Sequence, residues 1–203
     1  MTTRQGKIIL DNSEYFNQQA PAWDNMIKYD TAKLTQIVAL ADLHNGQAVL
    51  DVGTGTGIML PLLREKVGPA GRVAAIDIAP EMLRRAQAKF GSLAEFFLAD
   101  ASALPFPDAS FDRVMCFSVF PHFTDKAKAL RELARVLKPG GTILVAHAEG
   151  RESLNAFHKA LNDFVASHQL PPDEEMISLG ALAGLKTEFA ANGEDLYAVK
   201  FGK

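Results

Sequence analysis

The sequence predicts an α/β protein: a seven-stranded sheet, mostly parallel with an antiparallel last strand, and helices on both faces. Three observations predict it. Short apolar runs of strand length alternate with segments of helical periodicity, the pattern of right-handed crossovers between parallel strands. The nonapeptide Val49-Leu50-Asp51-Val52-Gly53-Thr54-Gly55-Thr56-Gly57 joins an apolar run to a carboxylate and three glycines at alternate positions. That spacing describes a buried strand running into a tight turn stripped of Cβ atoms, which a ligand approaches closely. Near the C-terminus, Ala191-Asn192-Gly193-Glu194 is a connection of hairpin length carrying Asn-Gly, which reverses the final strand.

The elements follow in order. Helices are predicted near 12–19 and 30–43, ahead of a first strand at 48–52. A helix at 57–66 follows the glycine turn. Gly68-Pro69-Ala70-Gly71 then turns the chain into a second strand at 72–76, within Arg72-Val73-Ala74-Ala75-Ile76-Asp77-Ile78. Pro80 and Glu81 open a helix at 80–90 that carries Met82, Leu83 and Ala86. The third strand, 95–99, runs into Asp100-Ala101, and the fourth, 112–117, leads into Ser118-Val119-Phe120-Pro121-His122-Phe123. A helix at 124–137 places Ala129-Leu130, Leu133 and Val136-Leu137 at helical spacing, and Leu137-Lys138-Pro139-Gly140-Gly141 turns into a fifth strand at 141–147. Helices at 151–168 and 173–183 and strands at 185–190 and 195–201 complete a single domain over 1–203, with no repeat or low-complexity tract.

The details of the glycine turn narrow the ligand class. A dinucleotide fingerprint reads G-x-G-x-x-G, but here the third glycine comes one residue early and an Asp precedes the first. A phosphate-binding loop ends in Gly-Lys-Ser/Thr, whereas Gly57 is followed by Ile58-Met59-Leu60. No Lys or Arg lies between Lys33 and Arg64, so a floor at Asp51 suits a ligand with a positive end better than a polyphosphate. Asp77 lies 20 residues beyond Gly57, at the end of strand two, where a carboxylate accepts both hydroxyls of a ribose. The same position is also that of a residue opening the next helix.

This D-x-G-x-G-x-G pattern resembles motif I of the class I S-adenosylmethionine (SAM) dependent methyltransferases. The Leu137-Lys138-Pro139-Gly140-Gly141 turn resembles that family's second signature, and the resemblance runs motif by motif over about residues 15 to 149. Within the family the chain looks like the ubiquinone/menaquinone-biosynthesis type, the methyltransferase type 11 group, whose segment ending in Trp-Asp is similar to Tyr15 through Asp24. The resemblance implies the Rossmann-like methyltransferase sheet with its antiparallel last strand. It implies SAM as cofactor, held by Asp51, Gly53, Thr54, Gly55, Gly57, Asp77, Ile78, Met82 and Phe117, with Asp100 and Ala101 beside the adenine. It also implies a helical lid over 1–45 and a helical cap over the acceptor at 151–183.

Ligands of such sheets sit outside the carboxyl ends of the strands, at the switch point of strand order. With SAM across strands one and two, the acceptor falls above strands four and five. Trp23, Phe120, Arg151 and Asn155 are the expected acceptor-binding residues, and His147, His122 and His158 the expected catalytic ones. Arg151, Asn155 and His158 share one helix face at i, i+4 and i+7. Methyl transfer from a sulfonium needs chiefly in-line positioning, and a base only where the acceptor must lose a proton, a role His fills near neutral pH. The same histidines also read as a satisfied strand end at His147 and a solvated helix residue at His158.

Composition bounds the remaining classes. At 203 residues and 48% hydrophobic, the chain can bury a substantial single core. A net charge of −3 without a Lys/Arg cluster argues against nucleic acid. The absence of a spanning-length apolar run or a secretory pattern predicts a cytoplasmic protein without membrane contact, monomeric or homodimeric, acting on a small molecule. The lone Cys116 sits inside strand four and reads as core. No metal is expected, because the His and Glu spacings match no ligand set. Two other readings stay open: an NAD(P)-dependent oxidoreductase on a similar fold, and a noncatalytic SAM-binding regulatory module.

Overall fold

Short, nearly continuous apolar runs form the central strands, because a sheet covered by helices buries both of its faces. The computed structural model describes residues 11–203 together with the backbone of Thr3–Arg4 and Lys7–Ile8, which pair antiparallel. Most of the first ten residues of the expected 1–45 lid thus lie outside the described residues. The main sheet comprises β1 (Ala48–Val52), β2 (Arg72–Asp77), β3 (Glu95–Leu98), β4 (Phe111–Phe117), β5 (Leu137–His147), β6 (Lys186–Asn192) and β7 (Tyr197–Gly202). Their order across the sheet is 3-2-1-4-5-7-6. Strands β1 to β5 pair in parallel, and β7 is antiparallel to both β5 and β6. The order of connection reverses between β1 and β4, which opens a crevice at their carboxyl ends.

Side chains alternate across the sheet, and each face builds its own core. Leu50, Val52, Val114, Cys116, Ile143 and Val145 point to one face, where Leu130 and Leu133 of α6 (Lys126–Val136) and Met176 of α8 (Asp173–Leu182) cover them. Val49, Met115 and Leu144 point to the other, under Ile37 of α3 (Thr31–Leu40) and Leu63 and Val67 of α4 (Leu60–Val67). Each buried Leu, Ile or Val contributes about 1.5–3 kcal/mol through the apolar area it withdraws from water. Ahead of β1 lie α1 (Asn12–Gln19) and the short α2 (Trp23–Met26); α5 (Pro80–Phe90) follows β2 and α7 (Arg151–Leu161) follows β5. Asp11, Asp30 and Asp125 cap α1, α3 and α6 through their carboxylates. Cys116 is fully buried, and burial pushes its thiol well above the ordinary range.

Several boundaries differ from the sequence expectation. Helix α4 begins at Leu60 rather than 57, because positive φ angles at Gly53, Gly55 and Gly57 keep the turn out of a helix. The helix predicted over 151–168 stops at Leu161. There Asn162 is extended, and its Oδ1 accepts the N–H groups of Phe164 and Val165 to start a 3₁₀ turn at Val165–Ser167. Strand β5 starts at Leu137, which pairs with Phe111 before a register shift. Strand β6 runs on to Asn192, so the final turn spans 193–196, closed by the Gly193 N–H on the Leu196 carbonyl at 2.9 Å.

Candidate active site

Strand β1 ends in the turn whose glycines the sequence singled out. Gly53 and Gly55 take φ of +68° and +55°, a region that L side chains rarely enter. A Cβ on Gly53 would lie 2.2 Å from Cγ2 of Val119, so the turn and the segment after β4 meet where only glycine fits. The turn is fastened to β2 by main chain and carboxylate together. Thr54 N–H donates to the Ile76 carbonyl at 2.9 Å, and Gly55 N–H donates to Asp77 Oδ2 at 2.8 Å. Asp77 Oδ1 accepts from the N–H of Ala79, the residue before α5, at 2.9 Å.

Two adjoining clefts open over this turn. The larger encloses about 690 Å³, open mouth included, between the turn, the end of β2, Asp100 and Ala101 after β3, and Ser118, Val119, His122 and Phe123 after β4. The smaller, about 500 Å³, lies between Asp51, Thr54, Thr56, Phe117 and Tyr29. Trp23, Gly53, Gly55 and Ser118 line both. The wall at Ser118 is strained: its φ is +52°, and its Oγ meets the Tyr29 hydroxyl at 3.0 Å.

Among the described residues, the lining carries carboxylates and no Lys or Arg. Asp77 and Asp100 face the larger cleft, and Asp24 and Asp51 the smaller. Burial pushes Asp51 up to about 7, with the charge of Asp77 adding to the rise, and burial pushes Asp77 up to about 6. Asp51 Oδ2 and the Thr54 hydroxyl oxygen are buried, and neither meets hydrogen-bond geometry with any of the described residues. A cation brought into these clefts would stabilise the ionised carboxylates; a pyrophosphate would meet their negative charge and, among the described lining residues, no Lys or Arg.

The N-terminal helices close over the clefts. Ser13 Oγ donates to the Ile78 carbonyl, Asn17 Oδ1 accepts from Glu81 N–H, and Asn12 Nδ2 donates to the His122 carbonyl. Asp24 accepts from the Thr56 hydroxyl at 2.6 Å and pairs with Lys89 Nζ at 2.9 Å. Phe16 packs edge-on against both Trp23 and His122. Tyr15 stacks on Phe164, which ties α1 to the segment after α7.

Most sequence-predicted residues converge here, and some do not. Asp51, Gly53, Thr54, Gly55, Asp77, Ile78, Met82, Asp100, Ala101, Phe117, Trp23 and His122 all line one cleft or the other. Gly57 does not; a Cβ there would press on Phe90 at 2.8 Å, so its role is to let α5 approach the turn. Phe120 was expected at the acceptor but is fully buried in the core, against Phe123. Asn155 is likewise spent on structure, because its amide donates to and accepts from the backbone of Leu170. Arg151 starts α7 and lines neither cleft. His147 is buried beside Tyr197, both ring nitrogens without a partner among the described residues, away from both clefts, and burial pushes it down to about 3. His158 is buried with Nδ1 on the carbonyl oxygen of His168, a residue that no motif marked.

The middle of the chain, residues 50–145, matches the family model described as a methyltransferase domain. The ubiquinone/menaquinone biosynthesis C-methyltransferase UbiE of Enterobacter sp. (strain 638) is 38% identical over 141 residues, 67% of this chain and 55% of that protein. The demethylmenaquinone methyltransferase of Thermus thermophilus is 40% identical over 139 residues, 64% of this chain and 62% of that protein. The crystal structure of a SAM-dependent methyltransferase from Aquifex aeolicus superposes with a TM-score of 0.68 at 25% identity, covering 91% of this chain and 97% of that one. The chain belongs to the class I SAM-dependent methyltransferases. It spans less than two thirds of the length of either sequence relative.

The cofactor of these methyltransferases is SAM, and the clefts fit it. The side-chain-free turn lets main chain lie against a ligand, the two clefts join end to end, and the lining offers carboxylates to a molecule carrying a sulfonium and an ammonium. Among the described residues, no group of three or more His, Cys, Asp or Glu is arranged to hold a metal ion, and no helix is long and apolar enough to cross a membrane.

Proposed function

We propose that this chain transfers the methyl group of SAM to a small-molecule acceptor, mainly by holding donor and acceptor in line. The observation that carries the reading is the charge of the lining: among the described residues four aspartates, one of them paired with Lys89, and no lining Lys or Arg around a turn without side chains. When bound, SAM supplies a methyl group on a sulfonium, an already activated carbon. Asp77 accepts the ribose hydroxyls, Asp100 and Ala101 flank the adenine, and Ile78 and Met82 pack against the nucleoside. Asp51, Thr54 and Phe117 bound the amino-acid end. Residues 1–45 act as the lid and 151–183 as the cap.

For the acceptor, the open wall of the larger cleft offers His122, Phe123 and Trp23. This suits a planar aromatic molecule that loses a proton on methylation, in line with the quinone-pathway names of the relatives. His122 is the one histidine of the expected three that reaches the cleft, and we assign the base to it. The same lining argues against a dinucleotide, whose pyrophosphate would meet carboxylates, and so against the oxidoreductase reading. Calorimetry with SAM, S-adenosylhomocysteine and NAD tests the donor. Heat from the first two and none from NAD is expected, and the reverse pattern sinks the proposal. Incubation with methyl-labelled SAM and a metabolite extract then identifies what takes up the label.

A further inference from the structure

Three of the five histidines in the sequence, His122, His158 and His168, touch one another at one side of the larger cleft. His122 lines that cleft and also lines a separate outer groove of about 780 Å³ that it shares with Lys126, Phe164, Ser167 and His168. Its Nδ1 lies 3.0 Å from Nδ1 of His168. Two imidazole nitrogens approach that closely only when one carries hydrogen and the other is bare. His158 fixes the arrangement from behind. Its Nδ1 meets the His168 carbonyl oxygen, which can only accept, so that Nδ1 carries the hydrogen and holds the His168 backbone. The Nε2 of His122 makes no hydrogen bond to the described residues.

We propose that His122 and His168 form a proton relay leading from the methyl-transfer cleft to the outer groove; the inference rests on the methyltransferase reading above. In the starting state His122 carries hydrogen on Nδ1 and donates to Nδ1 of His168, whose own hydrogen is on Nε2. As the acceptor gives up its proton, Nε2 of His122 takes it, the Nδ1 hydrogen of His122 passes to Nδ1 of His168, and His168 releases its Nε2 hydrogen to water in the groove. One proton enters and one leaves, and exchange with water after product release restores the first tautomers. His122 is the catalytic residue and His168 a positioning residue that acts through it.

A relay answers a difficulty that a lone base would meet. Burial and the neighbouring His158, His168 and His147, with the Lys126 ammonium beyond them, hold His122 well below its ordinary range, so an imidazolium there is costly. A base that passes the proton on never has to keep the charge. His168 is half-buried at the groove and its imidazole is lowered too, chiefly by burial, which suits prompt release to water.

The test uses the full chain, ¹⁵N-histidine labelling, and 1,4-naphthohydroquinone as probe acceptor. In the protein saturated with S-adenosylhomocysteine, a scalar coupling between the two Nδ1 nuclei across their hydrogen bond is expected. His168→Ala and His168→Gln are expected to lower kcat about tenfold or more, with KM and the heat of SAM binding unchanged. The Gln side chain accepts the His122 hydrogen but cannot pass it on, so a purely orienting role would leave that variant active. Imidazole diffusing into the open groove is expected to restore His168→Ala. Wild-type kcat in both variants overturns the relay, as does absence of the coupling. If SAM binds but the probe ring is not methylated, the coupling alone decides; if SAM gives no heat, the methyltransferase reading itself has failed.

Discussion

The carboxylate of Asp77 and the main-chain N–H of Gly55 are joined at 2.8 Å, so the end of β2 and the glycine turn after β1 form one rigid unit. Asp77 therefore serves two ends, holding the turn and facing the cleft. In Asp77→Asn one oxygen must do the work of two, and the amide group confronts the N–H donors of Gly55 or Ala79. Loss of a charge-assisted hydrogen bond costs about 1.5–3 kcal/mol, so SAM should bind roughly 10- to 150-fold more weakly. Calorimetry on material shown folded by circular dichroism checks this. A dissociation constant within threefold of wild type would remove Asp77 from the cofactor site.

Two buried carboxylates also make SAM binding dependent on pH. Asp51 is pushed up to about 7 and Asp77 up to about 6, so both are partly protonated near pH 6.5 in the free protein. The sign follows from charge: a cation favours the ionised carboxylates, so SAM affinity rises from pH 6 to pH 8 and binding below pH 7 releases protons. S-adenosylhomocysteine lacks the sulfonium charge and should show a shallower rise. Calorimetry in buffers of different ionisation enthalpy measures the released protons directly, and Asp51→Asn should flatten the profile.

The contact between Gly53 and Val119 offers a paired test. A Cβ at Gly53 meets Val119 Cγ2 at 2.2 Å and also suffers the positive φ. Gly55 has similar φ, yet the nearest atom to its Cβ is Trp23 Nε1 at 3.7 Å. Left-handed strain alone costs about 1–2 kcal/mol, so Gly55→Ala should lose about that much stability. Gly53→Ala should lose more, and with it most SAM binding. Adding Val119→Ala should recover part of the Gly53→Ala loss and none of the Gly55→Ala loss. Equal losses in the two single variants would mean the Val119 contact is not the limiting one.

Much of this was legible in the sequence for local reasons. Short apolar runs bounded by turn residues name strands whatever the tertiary context, and three glycines at alternate positions after a strand leave few geometries open. Hence β1 to β4, the turn, and Asp77 stand within a residue of where their spacing put them, and β5 ends where it was expected. Strand parity also carried a signal that chain order did not. His147 lies two residues beyond Val145, whose side chain enters the core under α6 and α8, so alternation turns the ring toward that core and not over the strand end. Phe120 went astray for a different reason: a 3₁₀ turn at Phe120–His122 sends Phe120 inward while His122 reaches the cleft. His168 was illegible altogether. It sits in an irregular segment 46 residues from its partner His122, and its placement depends on Asn162 ending α7 and on Asn155 tying down Leu170.

His147 gives a prediction in which stability and function separate. Its imidazole is 2% exposed, neither nitrogen has a partner among the described residues, and burial pushes it down to about 3. In the unfolded chain the ring takes up a proton near its ordinary 6.5, so between these values the unfolded state binds a proton that the folded state refuses. Stability contributed by the neutral ring is therefore present above pH 6.5 and lost as pH falls, by about 2 kcal/mol on reaching pH 5. Replacing it by Leu, close in volume and without nitrogens to satisfy, should leave stability at pH 7 equal or higher. The gap over wild type should then widen by about that amount at pH 5. Urea unfolding at the two pH values measures it. SAM affinity should be unchanged in His147→Leu, because the ring lines neither cleft. A variant that folds but no longer binds SAM would place His147 in the site after all.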